Sequence, residues 1–173
     1  ITNVVTNTLR EVVTNIVRVP APLPTPTPTP PNIIPANAMN PKVEGKIRAV
    51  IGKPTGELTK ADLEKVTKLR LENNPLTSVK GLEKLTQLTG LWLRRNKLTD
   101  VRGLEKLTQL TYLDLYGNQL TDVEGLEKLT QLEYLHLRNN QLTDVKGLEK
   151  LTQLKYLILY GNPALTKAQI DEL

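Results

Sequence analysis

The side chains best suited to recognition chemistry are concentrated in one short part of a repeated motif. All five tyrosines and the only tryptophan fall within the stretch xLxLxxN, together with several arginines and the only histidine. Tyrosine, tryptophan and arginine offer large contact area with polar ends and dominate the energetics of protein interfaces. The pattern predicts a binding surface. Its candidate ligand-binding residues are Arg70, Trp92, Arg94, Tyr112, Asp114, Tyr116, Tyr134, His136, Arg138, Tyr156, Ile158 and Tyr160.

His136 is the one side chain of this stretch that invites a catalytic or metal-binding interpretation, because Asp114 occupies the same position of the preceding repeat. A catalytic site would need a nucleophile and a metal site would need further ligands, yet the chain has no cysteine and no second histidine. The sequence also has no phosphate-binding glycine loop, dinucleotide fingerprint or carboxylate pair. We therefore expect no enzyme activity, no catalytic residue, no metal and no cofactor, and interpret this pair as a contact within a binding surface.

A repeat of 22 residues must position these side chains. The copies Gly81–Arg102, Gly103–Glu124 and Gly125–Lys146 share 15 of 22 columns, and most varying columns fall near xLxLxxN. Thr59–Lys80 and Gly147–Ala168 align as a first and a fifth copy. The alternation of xLxLx predicts a short strand in each copy, with its leucines turned into one continuous core shared by stacked repeats. The recurrent asparagine of LxLxxN predicts a structural hydrogen-bond ladder.

In such a stack the outward side chains form three columns across the strands. The first column is Lys68, Gly90, Tyr112, Tyr134 and Tyr156; the second is Arg70, Trp92, Asp114, His136 and Ile158; the third is Glu72, Arg94, Tyr116, Arg138 and Tyr160. The second column changes at every repeat, which favours a ligand. The first column also fits an alternative, in which stacked tyrosines only stabilise the sheet. The absent side chain at Gly90 predicts a notch beside Trp92.

The sequence predicts that the chain has five parts, of which the repeats are one. Residues 1–19 form an assembly or anchoring segment, and residues 20–39 form an extended, proline-rich linker. Residues 40–58 form an N-terminal cap, residues 59–168 the five repeats, and residues 166–173 the start of a C-terminal cap helix.

Both caps are predicted as helices. Thr59 and Asp62 have the spacing of a capping box, and the same signature recurs at the C-terminal cap. The charged Glu-Lys pairs of the GLEK motif, such as Glu105 and Lys106, are interpreted as a solvated convex face. Four apolar residues recur at helical spacing before Gly52: Val43, Ile47, Val50 and Ile51.

Residues 1–19 contain the related segments VVTNTLR and VVTNIVR. Their apolar residues fit a short coiled-coil seam, whereas their content of valine and threonine favours strands. Such a segment, placed beyond a linker, is expected to self-associate or to dock on a partner; a frayed tail is the alternative. The predicted assembly residues are Val5, Leu9, Val12 and Ile16.

Composition limits the classes of partner. The net charge is +5 at pH 7, but residues 59–173 are close to neutral and contain no run of basic residues, so nucleic acid is not expected. No stretch approaches the roughly 20 apolar residues that span a membrane.

The pattern LxxLxxLxxLxLxxNxLxxV at 22-residue spacing resembles the bacterial leucine-rich repeat family, in its internalin-like class. The resemblance implies an α/β solenoid, a right-handed coil with short parallel β-strands on a concave face and helical caps. The prolines before it predict an extended N-terminal arm. It also implies protein–protein recognition on the concave face and a place outside the bacterial cell or on its surface, although a cytoplasmic place stays open.

We therefore expect a non-enzymatic module that binds a protein or peptide through its aromatic concave face. The alternative is a structural subunit that forms a homo-oligomer through residues 1–19 or inserts them into a neighbouring subunit, with the repeats decorating the assembly.

Overall fold

The computed structural model describes residues 32–35 and 38–173. The predicted assembly residues Val5, Leu9, Val12 and Ile16, and the proline-rich stretch as far as residue 31, lie outside the described residues, so those expectations remain predictions. The helices are α1 (Pro41–Ile51), α2 (Lys60–Leu63) and α3 (Lys167–Asp171). The strands are β1 (Lys68–Arg70), β2 (Gly90–Trp92), β3 (Tyr112–Asp114), β4 (Tyr134–His136) and β5 (Tyr156–Ile158).

The five strands pair in chain order as one parallel sheet, and each residue pairs with the residue 22 positions later. A short 3-10 helix follows each of the first four strands, at Leu82–Lys84, Leu104–Lys106, Leu126–Lys128 and Leu148–Lys150. Because each coil adds one strand to one sheet, the predicted solenoid with short parallel strands is confirmed.

The strands have three residues each, two fewer than the predicted xLxLx. The central leucines of β1 to β4 are buried and that of β5, Leu157, is partly buried, while the leucines that follow two residues later are all buried. Pairing continues past the assigned strand, since Leu93 N donates to Asp114 O at 2.8 Å. The chain then turns at a residue with left-handed backbone, such as Asn73, Arg95 or Asn139, which ends the extended conformation.

The predicted asparagine ladder is present in the core. Asn96, Asn118, Asn140 and Asn162 are buried. In each, the side-chain amide donates to a leucine carbonyl of its own coil and to one of the preceding coil, while its oxygen accepts a backbone N–H of that preceding coil. These bonds satisfy buried backbone groups where the strands end.

The glutamates of the GLEK motif bind the backbone in addition to lying at the surface. The glycine that opens the motif has a left-handed backbone, with φ of 107° at Gly103. The carboxylate of Glu105 folds back and accepts the N–H of Gly103, and the other three copies repeat this bond. Backbone donors, its own amide and that of Gly103, lower the pKa of Glu105.

The N-terminal cap forms as the helical pattern predicts, with one exception. Asn40 accepts the N–H of Lys42 at 2.9 Å at the start of α1, and Gly52 ends the helix. Val43 and Ile47 are fully buried over the first repeat, whereas Val50 is 53% exposed and does not join the core.

The capping box predicted at Thr59 and Asp62 is present at the start of α2. Thr59 and Asp62 exchange the two bonds of a capping box. Asp62 also accepts from the ammonium of Lys53 at 2.8 Å. This ammonium and the donors of Thr59 hold the pKa of Asp62 well below its usual range.

The C-terminal cap is also helical, and Thr166 and Gln169 form its capping box. It covers less apolar surface than α1 does, because α3 buries none of its residues and Ile170 and Leu173 stay exposed.

Candidate functional site: the concave surface

The strand register brings the predicted columns together. In the first column Tyr112 pairs with Tyr134, and Tyr134 pairs with Tyr156. In the second column Asp114 pairs with His136. The third column lies just past the strand ends. We call the outward side chains of these three columns the concave surface.

An aromatic ladder crosses the sheet on one side of this surface; it consists of Trp92, Tyr112, Tyr134 and Tyr156. The ring centroids of Tyr112 and Tyr134 are 4.4 Å apart and their planes differ by 3°. Trp92 stacks on Tyr112 at 4.8 Å, and Tyr156 lies 6.1 Å from Tyr134 at a tilt of 45°. The stacking that the sequence offered as an alternative is therefore present.

Trp92 joins the ladder by leaning over Gly90, so the predicted notch is absent. A Cβ atom at Gly90 would lie 2.9 Å from both Cζ3 and Cη2 of the Trp92 indole. Gly90 is the one first-column position of the middle repeats without an aromatic residue, and Trp92 fills that place from the second column. On the outer face of the indole, the Cζ of Arg70 lies 4.1 Å from the ring centroid.

The rings of Tyr112 and Tyr134 stand upright on the sheet. Neighbouring strands are about 4.8 Å apart, which is close to the centroid spacing of Tyr112 and Tyr134. Rings at that spacing and nearly parallel must stack along the direction that crosses the strands. Their faces therefore cover one another, and their edges point away from the sheet.

A second stack runs beside the ladder and alternates arginine with tyrosine; it consists of Arg94, Tyr116, Arg138 and Tyr160, and we call it the arginine–tyrosine stack. The Cζ of Arg138 lies 4.0 Å from the ring centroid of Tyr160 and 5.7 Å from that of Tyr116. Arg94 approaches the Tyr116 ring at 5.8 Å. Cation–π attraction of this kind contributes about 0.5–2 kcal/mol per pair, depending on exposure.

His136 and Asp114 connect the two stacks. The His136 ring stacks on Tyr116 at 5.4 Å and meets the Tyr134 ring edge-on at 6.3 Å. Its Nδ1 lies 3.4 Å from the buried carboxylate of Asp114, which also accepts the N–H of Tyr116 at 3.0 Å. Burial lowers the pKa of His136, although Asp114 opposes that shift. The imidazole is therefore mainly neutral at pH 7, and it contacts one ring of each stack.

Two features of this surface escape the sequence patterns. Trp92 has a second-column position, but its side chain stacks with the rings of the first column. The only sign of this in the sequence is the glycine at position 90, which leaves space for the indole. Position 95 also differs between the copies, which have Arg95, Gly117 and Asn139 there, yet all three residues have a left-handed backbone, with φ of 53° at Arg95, and this turn restricts the residue types. Within residues 32–35 and 38–173, no cluster of three or more potential metal ligands occurs.

Comparison with known proteins identifies the repeats. The family model for leucine-rich repeats in two copies matches residues 64–106, 86–128 and 130–173. The chain belongs to the leucine-rich repeat family. Among curated proteins no match was found.

Three of the solved structures that resemble the chain are internalins of Listeria monocytogenes. The internalin InlF is 34% identical with a TM-score of 0.66, over 70% of this chain and 36% of that chain. The internalin InlC2 is 32% identical with a TM-score of 0.55, over 69% of this chain and 64% of that chain. The functional domain of InlJ is 30% identical with a TM-score of 0.62, over 70% of this chain and 29% of that chain.

The chain thus spans between about a third and two thirds of the length of these internalins. InlJ is described as including a cysteine ladder, whereas the present leucine-rich repeats contain no cysteine and carry an asparagine ladder. Membership supports a general role in protein interaction. Among the described helices, none has the length and apolar character needed to cross a membrane.

Proposed function

We propose that this chain is a non-enzymatic binding module that holds a protein or peptide ligand on its concave surface. One observation carries the proposal: three of the seven columns that vary between otherwise repeated copies supply the outward side chains of a single surface, which stacks aromatic and arginine residues. A scaffold needs repeated leucines and asparagines, but it does not need a different residue at each place of the second column. Tryptophan, tyrosine and arginine, which make up most of the stacked side chains, are also the residue types that dominate the energetics of protein interfaces.

The stacks favour binding by a preformed surface. Tyr112, Tyr116 and Tyr134 are half-buried, and each ring contacts a neighbour on at least one face. Side chains already held in one conformation lose little freedom on association, which leaves more of the contact energy as affinity. Tyr156 and Tyr160, 65% and 59% exposed, extend this surface at its C-terminal end.

Selection of peptides from a random displayed library against the full chain tests this proposal. Binders should lose affinity for a double variant, Trp92→Ala with Tyr134→Ala, because it removes two rungs of the ladder. They should bind normally to a control, Lys106→Ala with Lys128→Ala, which alters exposed residues of two 3-10 helices. Circular dichroism and urea unfolding of each variant check that the fold persists. Should the ladder variant unfold, Tyr156→Ala with Tyr160→Ala replaces it, since these rings are exposed.

Binders that do not distinguish the ladder variant from the control would contradict the proposal. The likeness to internalins supports a place outside the bacterial cell or on its surface, which we include in the proposal.

The assembly role of residues 1–19 remains a separate proposal that rests on the repeated VVTN segments. Light scattering of the full chain and of a Val12→Asp, Ile16→Asp variant tests it. A mass above the monomer that falls to the monomer in the variant would support assembly, and identical masses would refute it.

A further inference from the structure

We infer that the concave surface selects an acidic, extended peptide segment of a partner protein. This inference rests on the proposed function and names the chemistry of its ligand. It follows from which parts of the stacked side chains remain open to a ligand, rather than from the presence of aromatic residues alone.

The open parts of the ladder are electropositive. An aromatic ring has a negative face and a positive edge. Tyr112 and Tyr134 cover each other's faces at 4.4 Å, and Trp92 lies between Arg70 and Tyr112. Over Trp92, Tyr112 and Tyr134 a ligand therefore meets ring edges and polar ring substituents. Sugar rings bind aromatic residues mainly through open faces, so this part of the ladder disfavours a carbohydrate.

The arginines of the arginine–tyrosine stack add hydrogen-bond donors, because stacking covers the faces of the guanidinium groups rather than their edges. Tyr116 and Tyr160 flank the guanidinium of Arg138, which leaves its N–H edge for hydrogen bonds. Its Nε is buried and has no acceptor among the described residues. Within residues 32–35 and 38–173, neither Arg94 nor Arg138 forms an ion pair. A planar guanidinium held in this way fits a carboxylate well.

The two carboxylates of the concave surface do not neutralise these arginines. Glu72 pairs with Arg70 at 3.2 Å. Asp114 is 5% exposed and accepts from the Tyr116 backbone beside His136. Hydrogen-bond donors and positive charge thus exceed acceptors and negative charge on this side of the sheet.

The size of the surface fits an extended segment. Five strands about 4.8 Å apart give about 19 Å from the first column to the last, and an extended chain advances about 3.3 Å per residue. About six residues therefore cross the sheet. A peptide lying between the stacks places alternate side chains near the ladder and near Arg94 and Arg138.

The peptide selection tests this inference when the library has random segments of about twelve residues, twice the length that crosses the sheet. Selected binders should be enriched in aspartate and glutamate. Their affinity should fall about tenfold for Arg94→Gln and for Arg138→Gln, as expected for loss of one charge-assisted hydrogen-bond pair. Arg102→Gln is the matched control, because Arg102 is exposed and pairs with Asp100 outside the concave surface. Raising salt from 0.05 to 0.5 M, about a threefold fall in screening length, should weaken binding.

The outcomes separate the two proposals. Binders that require Trp92 and Tyr134 but carry no excess of acidic residues, or that tolerate both arginine variants, overturn the inference and leave the proposed function standing. Binders that tolerate loss of Trp92 and Tyr134 overturn both, and so does a selection that yields no binder. If Arg138→Gln fails to fold, Arg94→Gln decides alone.

Discussion

Replacement of one asparagine of the ladder should lower the free energy of unfolding by an amount that follows from its hydrogen bonds. Asn118 makes three buried hydrogen bonds. Its side-chain amide donates to the carbonyls of Leu93 and Leu115 at 3.1 and 3.0 Å, and its oxygen accepts the N–H of Leu98 at 3.1 Å. The substitution Asn118→Ala removes all three.

The groups left behind are not equivalent. The carbonyls of Leu93 and Leu115 keep a second partner, since Asn96 and Asn140 also donate to them. The N–H of Leu98 has no other acceptor among the described residues. An orphaned buried donor costs about 1–3 kcal/mol, and each bond lost from a group that keeps a partner costs about 1 kcal/mol. The expected loss in free energy of unfolding is therefore about 3–5 kcal/mol.

Urea unfolding followed by circular dichroism measures this loss, with Asn74→Ala as the matched control. Asn74 occupies the same position in the first repeat, but it is half-buried, and its side chain makes a single hydrogen bond, in which the amide donates to Glu72 O at 2.8 Å. We expect the control to lose about 1 kcal/mol or less. Equal losses in the two variants, at unchanged denaturant dependence, would refute the assignment of the ladder as a main source of stability.

Three further predictions concern single positions. Gly90→Ala should displace the Trp92 indole and shift its fluorescence to the red while changing the free energy of unfolding by less than about 1 kcal/mol; an unchanged spectrum would contradict the packing of Trp92 over Gly90. Arg95→Gly should raise that free energy by about 0–1.5 kcal/mol, because relief of a left-handed backbone (about 1–2 kcal/mol) at least offsets the added entropy of the unfolded chain (about 0.5–1 kcal/mol). A loss of stability in urea unfolding would contradict this prediction. The low pKa of Asp62 means that the unfolded chain binds its proton first, so stability should fall as pH drops below about 4. Asp62→Asn should flatten this part of the pH profile, and an unchanged profile would refute the role of Asp62.

The repeats were predictable from sequence because their period and alternation repeat the same physical requirement five times. Leucines at fixed places must share one core, and this sets the strand register. That register in turn brings Tyr112, Tyr134 and Tyr156 into one column. The ladder function of the asparagines followed for the same reason, since one polar residue in each coil needs a partner in the next.

Other features depend on how individual side chains pack, which a repeat pattern does not contain. The indole of Trp92 crosses from its own column because the space over Gly90 is empty and Tyr112 offers a face. The carboxylate of Glu105 folds back onto the N–H of Gly103 because that turn leaves the N–H free. Val50 has the spacing of a core residue, but α1 buries Val43 and Ile47 and leaves Val50 in solvent.

The most direct test of the central claim uses the fact that all five tyrosines of the chain belong to the concave surface. Full chain labelled with fluorotyrosine gives fluorine NMR signals from Tyr112, Tyr116, Tyr134, Tyr156 and Tyr160 alone. On titration with a selected peptide, whose binding is confirmed by calorimetry, we expect several of these signals to shift, with Tyr134 and Tyr116 among them. A saturated complex in which all five signals keep their positions would show that the ligand binds elsewhere.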